Sequence, residues 1–363
     1  MIDDRAARYH RRQVLLGALG LVVSVVYLAA IVAGDAAGWM TRELGAWPWW
    51  AQIAALAAVL GAAYRVLVAP LAWVRGWWLP RHYGLLHQSL ASWLADQAKA
   101  MVLSALLGLT GVELVYGLLR IAPQWWWLAA SIAFLAIHVV LAIVLPVWIV
   151  PLFYRLTPLA DETLRARLLA LATRVGAPAV GVWVADQSRK SRTANAAVLG
   201  LGRTRRILLF DTLLDFTPRE VESVLAHELG HHLHHDMWRG LGVQAALTLA
   251  GFAIAHLALT AGVDRWGLRG IDDPAGLPWL ALVLGAVGLV ALPLTNGSSR
   301  WMERRADDFA LRVTADPDAF VGAMERLAGL NLAERHPHRL KEVFLSSHPA
   351  IDRRIARARS RAL

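Results

Sequence analysis

The 363-residue chain is 57% hydrophobic, contains no cysteine and carries a formal net charge of +10. Its mean hydropathy of +0.45 is too high for an ordinary soluble domain and predicts membrane spans. The absence of cysteine excludes disulfides, thiolate zinc sites and a cysteine nucleophile, so any metal site must use His, Asp and Glu.

Six stretches of about 20 mostly apolar residues are each long enough to cross a bilayer as a helix. They are residues 14–32, 49–68, 101–119, 128–148, 241–260 and 277–294. Tryptophan clusters such as Trp125-Trp126-Trp127 lie beside these stretches, which favours interfacial belts over core tryptophans. The apolar part of the first stretch is too long for a cleaved signal peptide, and the small-residue cleavage pattern is missing.

Four polar residues interrupt the predicted spans: Glu113, His138, Gln244 and His256. Polar and ionisable groups are costly in a bilayer, so they are expected to face a protein interior or a wet cavity. For each one alone, a structural hydrogen bond is the simpler interpretation.

The distribution of arginine predicts the orientation in the membrane. Arginines are concentrated before the first span, between the second and third spans, and in residues 151–240 and 300–363. Cytoplasmic loops are enriched in Lys and Arg, so both termini and both polar regions are expected in the cytoplasm. This arrangement also accounts for the net charge, and we therefore expect the lipid bilayer and no nucleic acid as a partner.

Residues 151–240 have the pattern of a mixed α/β unit. Residues 161–175 show helical periodicity, and residues 180–184 and 207–210 resemble strands. A lone glycine pair lies between the strands, in Gly200-Leu201-Gly202. No helix follows it, so a hairpin turn is favoured over a phosphate loop.

The end of this unit, VLAHELGHHLHHD at 224–236, is rich in histidine. Upstream, Thr217-Pro218-Arg219-Glu220 has the form of a capping box with proline at the first helical position, so a helix should begin near Pro218. His227 and His231 then lie one turn apart on one face and could bind one metal ion. Glu228 occupies the general-base position of an HExxH zinc protease.

Other histidines in this stretch compete with that assignment. His235 is also four residues from His231, and only the position of the glutamate separates the two pairs. His232, His234 and His235 are expected to be polar residues at the end of the helix, where a cation is favoured.

A third ligand is expected after the last span, in SRWMERRADDFA at 299–310. Glu303 and Asp307 are four residues apart on a predicted helix. Glu303 could complete a zinc site that keeps one position open for water, while Asp307 could reach the free nitrogen of a ligand histidine. From spacing alone, a solvated helix surface is an equally valid interpretation of Glu303.

A further motif, SSHP, stands at 346–349. Pro349 is predicted to start a helix, with His348 at its N-terminus and Arg354 nearly two turns in. By pattern alone, a histidine in this position is more often a helix cap than a catalytic residue.

Together these motifs resemble the type I CAAX prenyl endopeptidases, which are integral-membrane zinc metalloproteases. The resemblance covers most of the chain from about Arg81 onward. Its motifs are RHYGL at 81–85, DQAK at 96–99, IVPLFYRLTPL at 149–159, SRKSRTAN at 188–195, RRILLFDTLL at 205–214, HELGH at 227–231, ERRAD at 303–307 and SSHP at 346–349.

The resemblance implies one zinc ion per chain and a set of ligands: His227, His231 and Glu303. It implies that Glu228 is the general base and that Asp307 supports the site.

The resemblance also implies that His348 and Arg354 contact the substrate carbonyl or the developing oxyanion. Asn195 and Ala196 would lie on an edge strand that holds the substrate as an added strand. In the family, the spans enclose a large chamber with the zinc site at its cytoplasmic side. Departures are six predicted spans where the family has seven, and Ala197 where the family has an aromatic residue.

The expected fold is a mainly α, polytopic membrane protein of about six spans with a cytoplasmic gluzincin-type α/β protease region. Residues 1–150 would form a membrane domain of four spans, 151–240 the protease region with the edge strand and the HExxH helix, 241–295 two further spans, and 296–363 a C-terminal protease region. The composition is typical of a bacterial protein, so the plasma membrane is the expected location.

The expected function is zinc-dependent hydrolysis of peptide bonds in membrane-associated or lipidated proteins and peptides. One alternative is a quality-control protease that cleaves misfolded membrane proteins, like heat-shock-induced relatives. Another is a non-proteolytic membrane sensor or scaffold, which loss of Glu228 or of a ligand would favour; none of these residues is missing.

Overall fold

The computed structural model describes residues 2–200 and 204–361. The N-terminal half consists of helices: α1 Ile2–Ala33, α2 Ala36–Glu43, α3 Trp49–Trp73, α4 Leu79–His82, α5 Leu90–Ile121, α6 Trp126–Val144 and α7 Val150–Phe153. A π-helical turn, Val74–Trp78, joins α3 to α4, and a second one, Leu145–Ile149, joins α6 to α7.

The C-terminal half mixes strands and helices. Its elements are β1 Leu156–Pro158, α8 Glu162–Arg174, β2 Val182–Ala185, β3 Ala196–Leu199, β4 Arg206–Phe210, α9 Pro218–Leu233, α10 Asp236–Trp266, α11 Leu277–Thr314, α12 Pro317–Leu330, α13 Arg339–Leu345 and α14 Ile351–Ser360. Leu201 and Gly202 of the predicted turn lie outside the described residues.

Six helical segments of the described chain are long and apolar enough to cross a membrane. They lie in α1, α3 with α4, α5, α6, α10 and α11. Five of the six predicted spans lie inside these segments, and the fourth, 128–148, extends four residues beyond α6 into the π-helical turn Leu145–Ile149. The spans pack on one another through a cluster that includes Trp126, Phe252 and Leu280. Elsewhere they leave large apolar side chains exposed, such as Val290 and Val66, as expected for surfaces that face lipid.

The four strands form one sheet in the order β1-β2-β4-β3. β2 and β4 run parallel, whereas β1 and β3 pair antiparallel at the two edges. β3 and β4 lie on either side of the predicted turn and pair antiparallel, with Leu199 opposite Arg206. The first predicted strand, at 180–184, corresponds to β2 and runs parallel to β4, so the turn does not join the two predicted strands directly. Since β1 is only three residues long, the sequence pattern did not indicate it.

The sheet packs against α8, α9, α12 and α14 around a core of aliphatic side chains and Phe320. α9 begins where predicted, because Thr217 and Glu220 form both hydrogen bonds of a capping box. α9 and α11 cross closely at Gly230, where a Cβ atom would lie 3.2 Å from Cα of Ala306.

Two helices connect the spans directly to the protease core. α9 ends at Leu233 and α10 begins at Asp236, and the two residues between them are His234 and the left-handed His235 (φ 56°). α11 continues without a break from the last predicted span through Thr314. The predicted boundary at residue 295 is therefore not a break in secondary structure.

The helix predicted to start at Pro349 starts later. α14 begins at Ile351, with Ala350 as the preceding cap residue. His348 thus lies in the connection before the helix, and Arg354 lies at the fourth position of α14, about one turn from its start. A proline favours the first turn of a helix but does not by itself fix the first residue.

Candidate metal centre

The structure brings together three side chains from α9 and α11: His227, His231 and Glu303. One donor atom from each lies within 4.8 Å of the others, and the Nε2 atoms of the two histidines are 3.1 Å apart. His227 and Glu303 are buried, and His231 is partly buried. Two imidazoles and a carboxylate at such a point are a donor set that suits a divalent metal with an open coordination position.

The other ring nitrogen of each histidine faces a carboxylate. Nδ1 of His227 is 2.9 Å from Asp307, and Nδ1 of His231 is 2.9 Å from Asp236. A carboxylate can only accept at these contacts, so each neutral ring carries its proton on Nδ1 and directs the Nε2 lone pair toward its partner histidine. This is the arrangement by which proteins orient metal-binding histidines, and the residues present therefore fit a metal ion.

Asp307 was predicted to reach the free nitrogen of a histidine, and it lies against Nδ1 of His227; its role at a metal stays a prediction. Asp236 is the last residue of the histidine-rich stretch, and its sequence pattern did not predict a contact with a histidine. Its position follows the left-handed turn at His235, which directs the first residue of α10 back toward His231. A spacing of five residues across a helix break gives no periodic signal by which to predict such a contact.

The buried acids of the site determine the charge of His227. Burial disfavours its charged form, but hydrogen bonds to Asp307 and Glu303 outweigh that effect and raise the pKa of His227 to about 10. The site therefore attracts a positive charge, which a proton or a metal ion can supply. Metal binding displaces protons from such ligands.

Glu228 adjoins the donor group without being part of it. Its side chain lines two cavities that meet at the site, a cleft of about 620 Å³ and a groove of about 800 Å³. Burial raises the pKa of this carboxyl, against the effect of the neighbouring His227 and His231. A glutamate with a raised pKa is suited to both accept and return a proton near neutral pH.

Arg354 is buried and pairs with Asp307. Its Nη2 and Nε atoms donate to the two carboxylate oxygens at 2.6 and 2.9 Å. The same Nη2 atom lies 3.9 Å from Glu303 and 3.5 Å from Nδ1 of His227. Arg354 also lines the cleft. This one side chain therefore contacts Asp307, which orients His227, and also borders the space open to a substrate.

His348 reaches the site from the connection before α14. Its Nδ1 atom is 2.9 Å from the Glu303 carboxylate, while 61% of its side chain is exposed in the cleft. The exposed face gives a substrate access to the ring. The helix-cap interpretation does not apply, because Ala350 is the cap residue of α14.

The predicted strand residues lie at the edge of the sheet beside the cleft. Asn195 precedes β3 and is exposed in the cleft, whereas Ala196 is buried against the core. β3 has a neighbour on one side only, in the part of the sheet that the structure describes. His232 contacts the carbonyl oxygen of Val198 at 2.9 Å, so the free edge is already occupied near the end of β3.

The two cavities extend in different directions. The cleft passes Asn195, His348 and the loop around Pro337. The groove runs from Glu228 and His231 between α6 and α10, where His138 and Gln244 are its polar members. The polar residues predicted at these two positions therefore both line this groove.

Residues 158–362 match the sequence profile of peptidase family M48. The chain belongs to this family. Residues 3–155 match a second profile, described as CAAX prenyl protease N-terminal, five membrane helices. Four candidate spans lie in that range of the described chain, at Asp4–Ala33, Trp49–His82, Leu90–Ile121 and Trp126–Val144.

Similar proteins include metalloproteases from bacteria and eukaryotes. The M48 chain is 30% identical to the uncharacterized metalloprotease YhfN of Bacillus subtilis, over 83% of this chain and 71% of that protein. It is 32% identical to CAAX prenyl protease 1 of Saccharomyces cerevisiae, but the match covers only 50% of this chain and 40% of the yeast protein.

A solved structure shares the fold. The crystal structure of Ste24p of S. mikatae covers 98% of this chain, with 88% of its own length matched, a TM-score of 0.84 and 22% sequence identity. The resemblance to the CAAX prenyl proteases is therefore confirmed in family and in fold. This M48 chain is a multi-pass membrane metalloprotease that acts on peptides or proteins, and its family implies a metal cofactor.

Proposed function

We propose that the protein is a zinc-dependent endopeptidase of membrane-associated or lipidated proteins, with its active site on the cytoplasmic side of a bacterial plasma membrane. His227, His231 and Glu303 would hold one zinc ion. The observation that carries this proposal is that the Nδ1 atoms of both histidines face carboxylates, which directs both Nε2 atoms to one point with Glu303. When bound, zinc polarises a scissile carbonyl and increases the acidity of water.

Glu228 is the general base of the proposed reaction. Its carboxylate accepts a proton from the water that attacks the carbonyl carbon. As the C–N bond breaks, Glu228 returns that proton to the leaving amine, so it ends in its original state. Its raised pKa supports both halves of this cycle.

His348 and Arg354 are proposed to stabilise the negative charge that develops on the carbonyl oxygen. The exposed ring of His348 supports direct contact with the substrate. Arg354 is bound to Asp307 by two hydrogen bonds, so it acts from a fixed position, and Asp307 in turn orients His227.

The free edge of β3 at Asn195 and Ala196 is proposed to bind the substrate backbone as an added strand. His232 contacts the carbonyl oxygen of Val198, so the free edge is occupied near the end of β3 and the added strand would have to stop there. The groove between α6 and α10 could take an apolar chain attached to the peptide, because it starts at Glu228 and continues along Leu141 and Leu241.

Glu228→Gln tests the chemistry. This variant keeps the shape of the side chain but cannot accept the proton, so peptide cleavage should fall about a hundred- to ten-thousand-fold while metal content stays at one per chain. Glu222→Gln, six residues earlier on α9 and paired with Arg167, is the matched control and should cleave normally. Full activity of Glu228→Gln would refute the mechanism, and loss of metal would show that Glu228 helps build the site.

The same variant can identify substrates. Membrane proteomes of cells that carry the wild type or Glu228→Gln should differ in proteins that accumulate uncut. Accumulation of lipidated or membrane-anchored proteins would support the proposed substrate class. Accumulation of only misfolded multi-pass proteins would instead support quality control as the function.

A further inference from the structure

A cavity rich in arginine lies behind the metal centre. It has a volume of about 410 Å³ and is enclosed by α11, α13, α14 and the connection that precedes α14. It is lined by six arginines: Arg300, Arg304, Arg339, Arg353, Arg354 and Arg357. Asp307 and Glu342 are the acidic residues of the lining, which leaves a formal excess of four positive charges. We call this the arginine cavity.

Some of these arginines already have carboxylate partners. Arg354 pairs with Asp307, Arg353 pairs with Glu342, and Arg357 pairs with Asp308 outside the lining.

The other three arginines of the cavity are not neutralised. Arg300 donates to the carbonyl oxygens of Glu342 and Ser346 at 2.7 and 2.6 Å, which satisfies its hydrogen bonds but not its charge. Arg304 and Arg339 are exposed and make no hydrogen bond or ion pair within the described residues. The cavity therefore presents three cations that lack a counter-ion.

The arginine cavity lies just beyond the end of the apolar stretch of α11. The continuous apolar stretch of this helix ends at Leu294. At a rise of about 1.5 Å per residue, Arg300 is about 9 Å and Arg304 about 15 Å beyond that point. The headgroup layer extends roughly 5–8 Å beyond the hydrocarbon, within reach of a long arginine side chain.

α13 lies at the same level. Nδ2 of Asn296, two residues beyond Leu294, donates to the carbonyl oxygen of Phe344 at 2.7 Å. Leu340 and Phe344 are four residues apart on α13, and both side chains are exposed beside Arg339. An apolar pair next to free cations at the bilayer surface is suited to an amphipathic ligand.

We propose that the arginine cavity binds the phosphate group of an anionic phospholipid, with the start of an acyl chain along Leu340 and Phe344. Arginine forms paired hydrogen bonds with phosphate, and basic cavities beside membrane helices are suited to lipid headgroups. Pro349 and Arg354 separate this cavity from the substrate cleft, since both residues line both spaces. A bound phosphate would thus strengthen the packing of α14 on α11 directly behind Asp307.

The test uses the full-length protein, purified and freed of lipid in a zwitterionic detergent. Phosphatidylglycerol is the probe, and native mass spectrometry measures its Kd. Each arginine near a membrane surface is worth about fivefold in lipid binding, so Arg304→Gln/Arg339→Gln should weaken binding about thirtyfold. Arg304→Lys/Arg339→Lys keeps the charge and should lose less.

The matched control is Arg8→Gln/Arg312→Gln. It removes the same total charge from two exposed arginines outside the cavity, one of them on α11. Its Kd should stay within about twofold of the wild type, and phosphatidylcholine should bind the wild type at least tenfold more weakly than phosphatidylglycerol. Equal weakening in both glutamine double variants would overturn the proposal in favour of general surface charge.

A free anion is the remaining competitor for the site. Inorganic phosphate at millimolar concentration should neither displace phosphatidylglycerol nor raise the thermal midpoint of the protein as the lipid does. If phosphate reproduces the lipid effect, the site binds a soluble anion and the assignment to lipid is wrong. An unchanged thermal midpoint of Arg304→Gln/Arg339→Gln without lipid verifies that the variant is folded.

Discussion

The carboxylates around His227 and His231 determine how well this histidine pair can hold a metal. In this protein the two Nδ1 atoms are held by carboxylates from different helices, Asp307 on α11 and Asp236 on α10. Both imidazoles are therefore oriented before a metal arrives, which lowers the entropic cost of binding.

The ligand set gives the first prediction. His227→Ala, His231→Ala and Glu303→Ala should each strip zinc from the purified protein, because each removes one of the three donors that the described part of the chain brings together. His232→Ala and His235→Ala should keep one zinc per chain, as measured by elemental analysis. If His235→Ala loses the metal and His231→Ala keeps it, the assignment of the histidine pair is wrong.

The second prediction concerns the residue that the sequence did not reveal. Asp236→Asn leaves a hydrogen-bond acceptor but removes the charge that holds His231, so zinc affinity should fall about ten- to a hundredfold. Asp308→Asn is the control, since Asp308 pairs with Arg357 and Arg361 and touches no ligand. Competition with a chelator measures both zinc affinities. Equal affinities of the two variants would show that Asp236 does not support zinc binding.

HExxH is a local pattern, so the sequence indicated His227, His231 and Glu228 as candidates, and Glu303 came from a second motif after the last span. The sequence could not predict the pairing of Arg354 with Asp307, since those residues are 47 positions apart and nothing periodic connects them. By pattern alone His348 was a candidate helix cap, but Ala350 is the cap residue of α14, and only the family resemblance suggested a role for His348 at the site.

At the scale of elements, the site depends on how closely α9 approaches α11. Gly230 permits this approach, because a Cβ atom there would lie 3.2 Å from both Cα of Ala306 and Cδ1 of Phe309. The two helices carry all three donors, so a shift of a few tenths of an ångström between them changes the geometry of the metal site.

Gly230→Ala tests this dependence. Alanine favours a helix over glycine by up to about 1 kcal/mol, which offsets part of the cost of the tight contact. Zinc affinity and peptidase activity should therefore fall more than thermal stability does. Gly242→Ala on α10, where a Cβ would meet nothing within 4 Å, should raise stability and leave zinc unaffected. Normal zinc affinity in Gly230→Ala would show that the helix crossing tolerates the methyl group.

The groove between α6 and α10 gives a prediction about substrate class. Ala142 lines both this groove and a neighbouring apolar cavity of about 640 Å³, so Ala142→Phe should reduce the space for an apolar chain. The KM for a lipidated peptide should rise about tenfold, while the unmodified peptide is cleaved as before. Ala136→Phe, an exposed position on the same helix, is the control. An equal effect on both peptides would argue against a lipid in the groove.

The sequence predicted the elements more reliably than their connections. All six predicted spans coincide with long helices, because a bilayer requires long apolar stretches that are easy to see in a sequence, although the fourth runs four residues past the end of α6. The continuity of α11 from span to metal site was not predicted, since its composition changes from apolar to charged after Leu294 while its backbone does not.

At the scale of the whole molecule, the segment before the first predicted span contacts the region after the last one. Nε2 of His10 lies 2.8 Å from the carbonyl oxygen of Leu332, and Ala6 packs in one cluster with Leu332 and Tyr83. The segment before the first span and the region after the last span therefore lie on the same side of the spans. An even number of spans requires this arrangement, whereas an additional span would prevent it.

The final prediction is the direction of insertion. The arginine-rich regions flank the metal centre, and the positive-inside rule then orients both termini and the site toward the cytoplasm. Reporter fusions within residues 33–45 and 262–276 should respond as outer-side loops, and fusions after residue 361 should respond as cytoplasmic.

The positive charges before the first span allow a test of the rule itself: they are Arg5, Arg8, Arg11 and Arg12. Replacing all four with glutamine should weaken the preference for this orientation, whereas glutamine at Arg120, on the predicted outer side, should not. A C-terminal fusion that reports the outer side would overturn the orientation, and fusions at the two ends that report opposite sides would overturn the count of six spans.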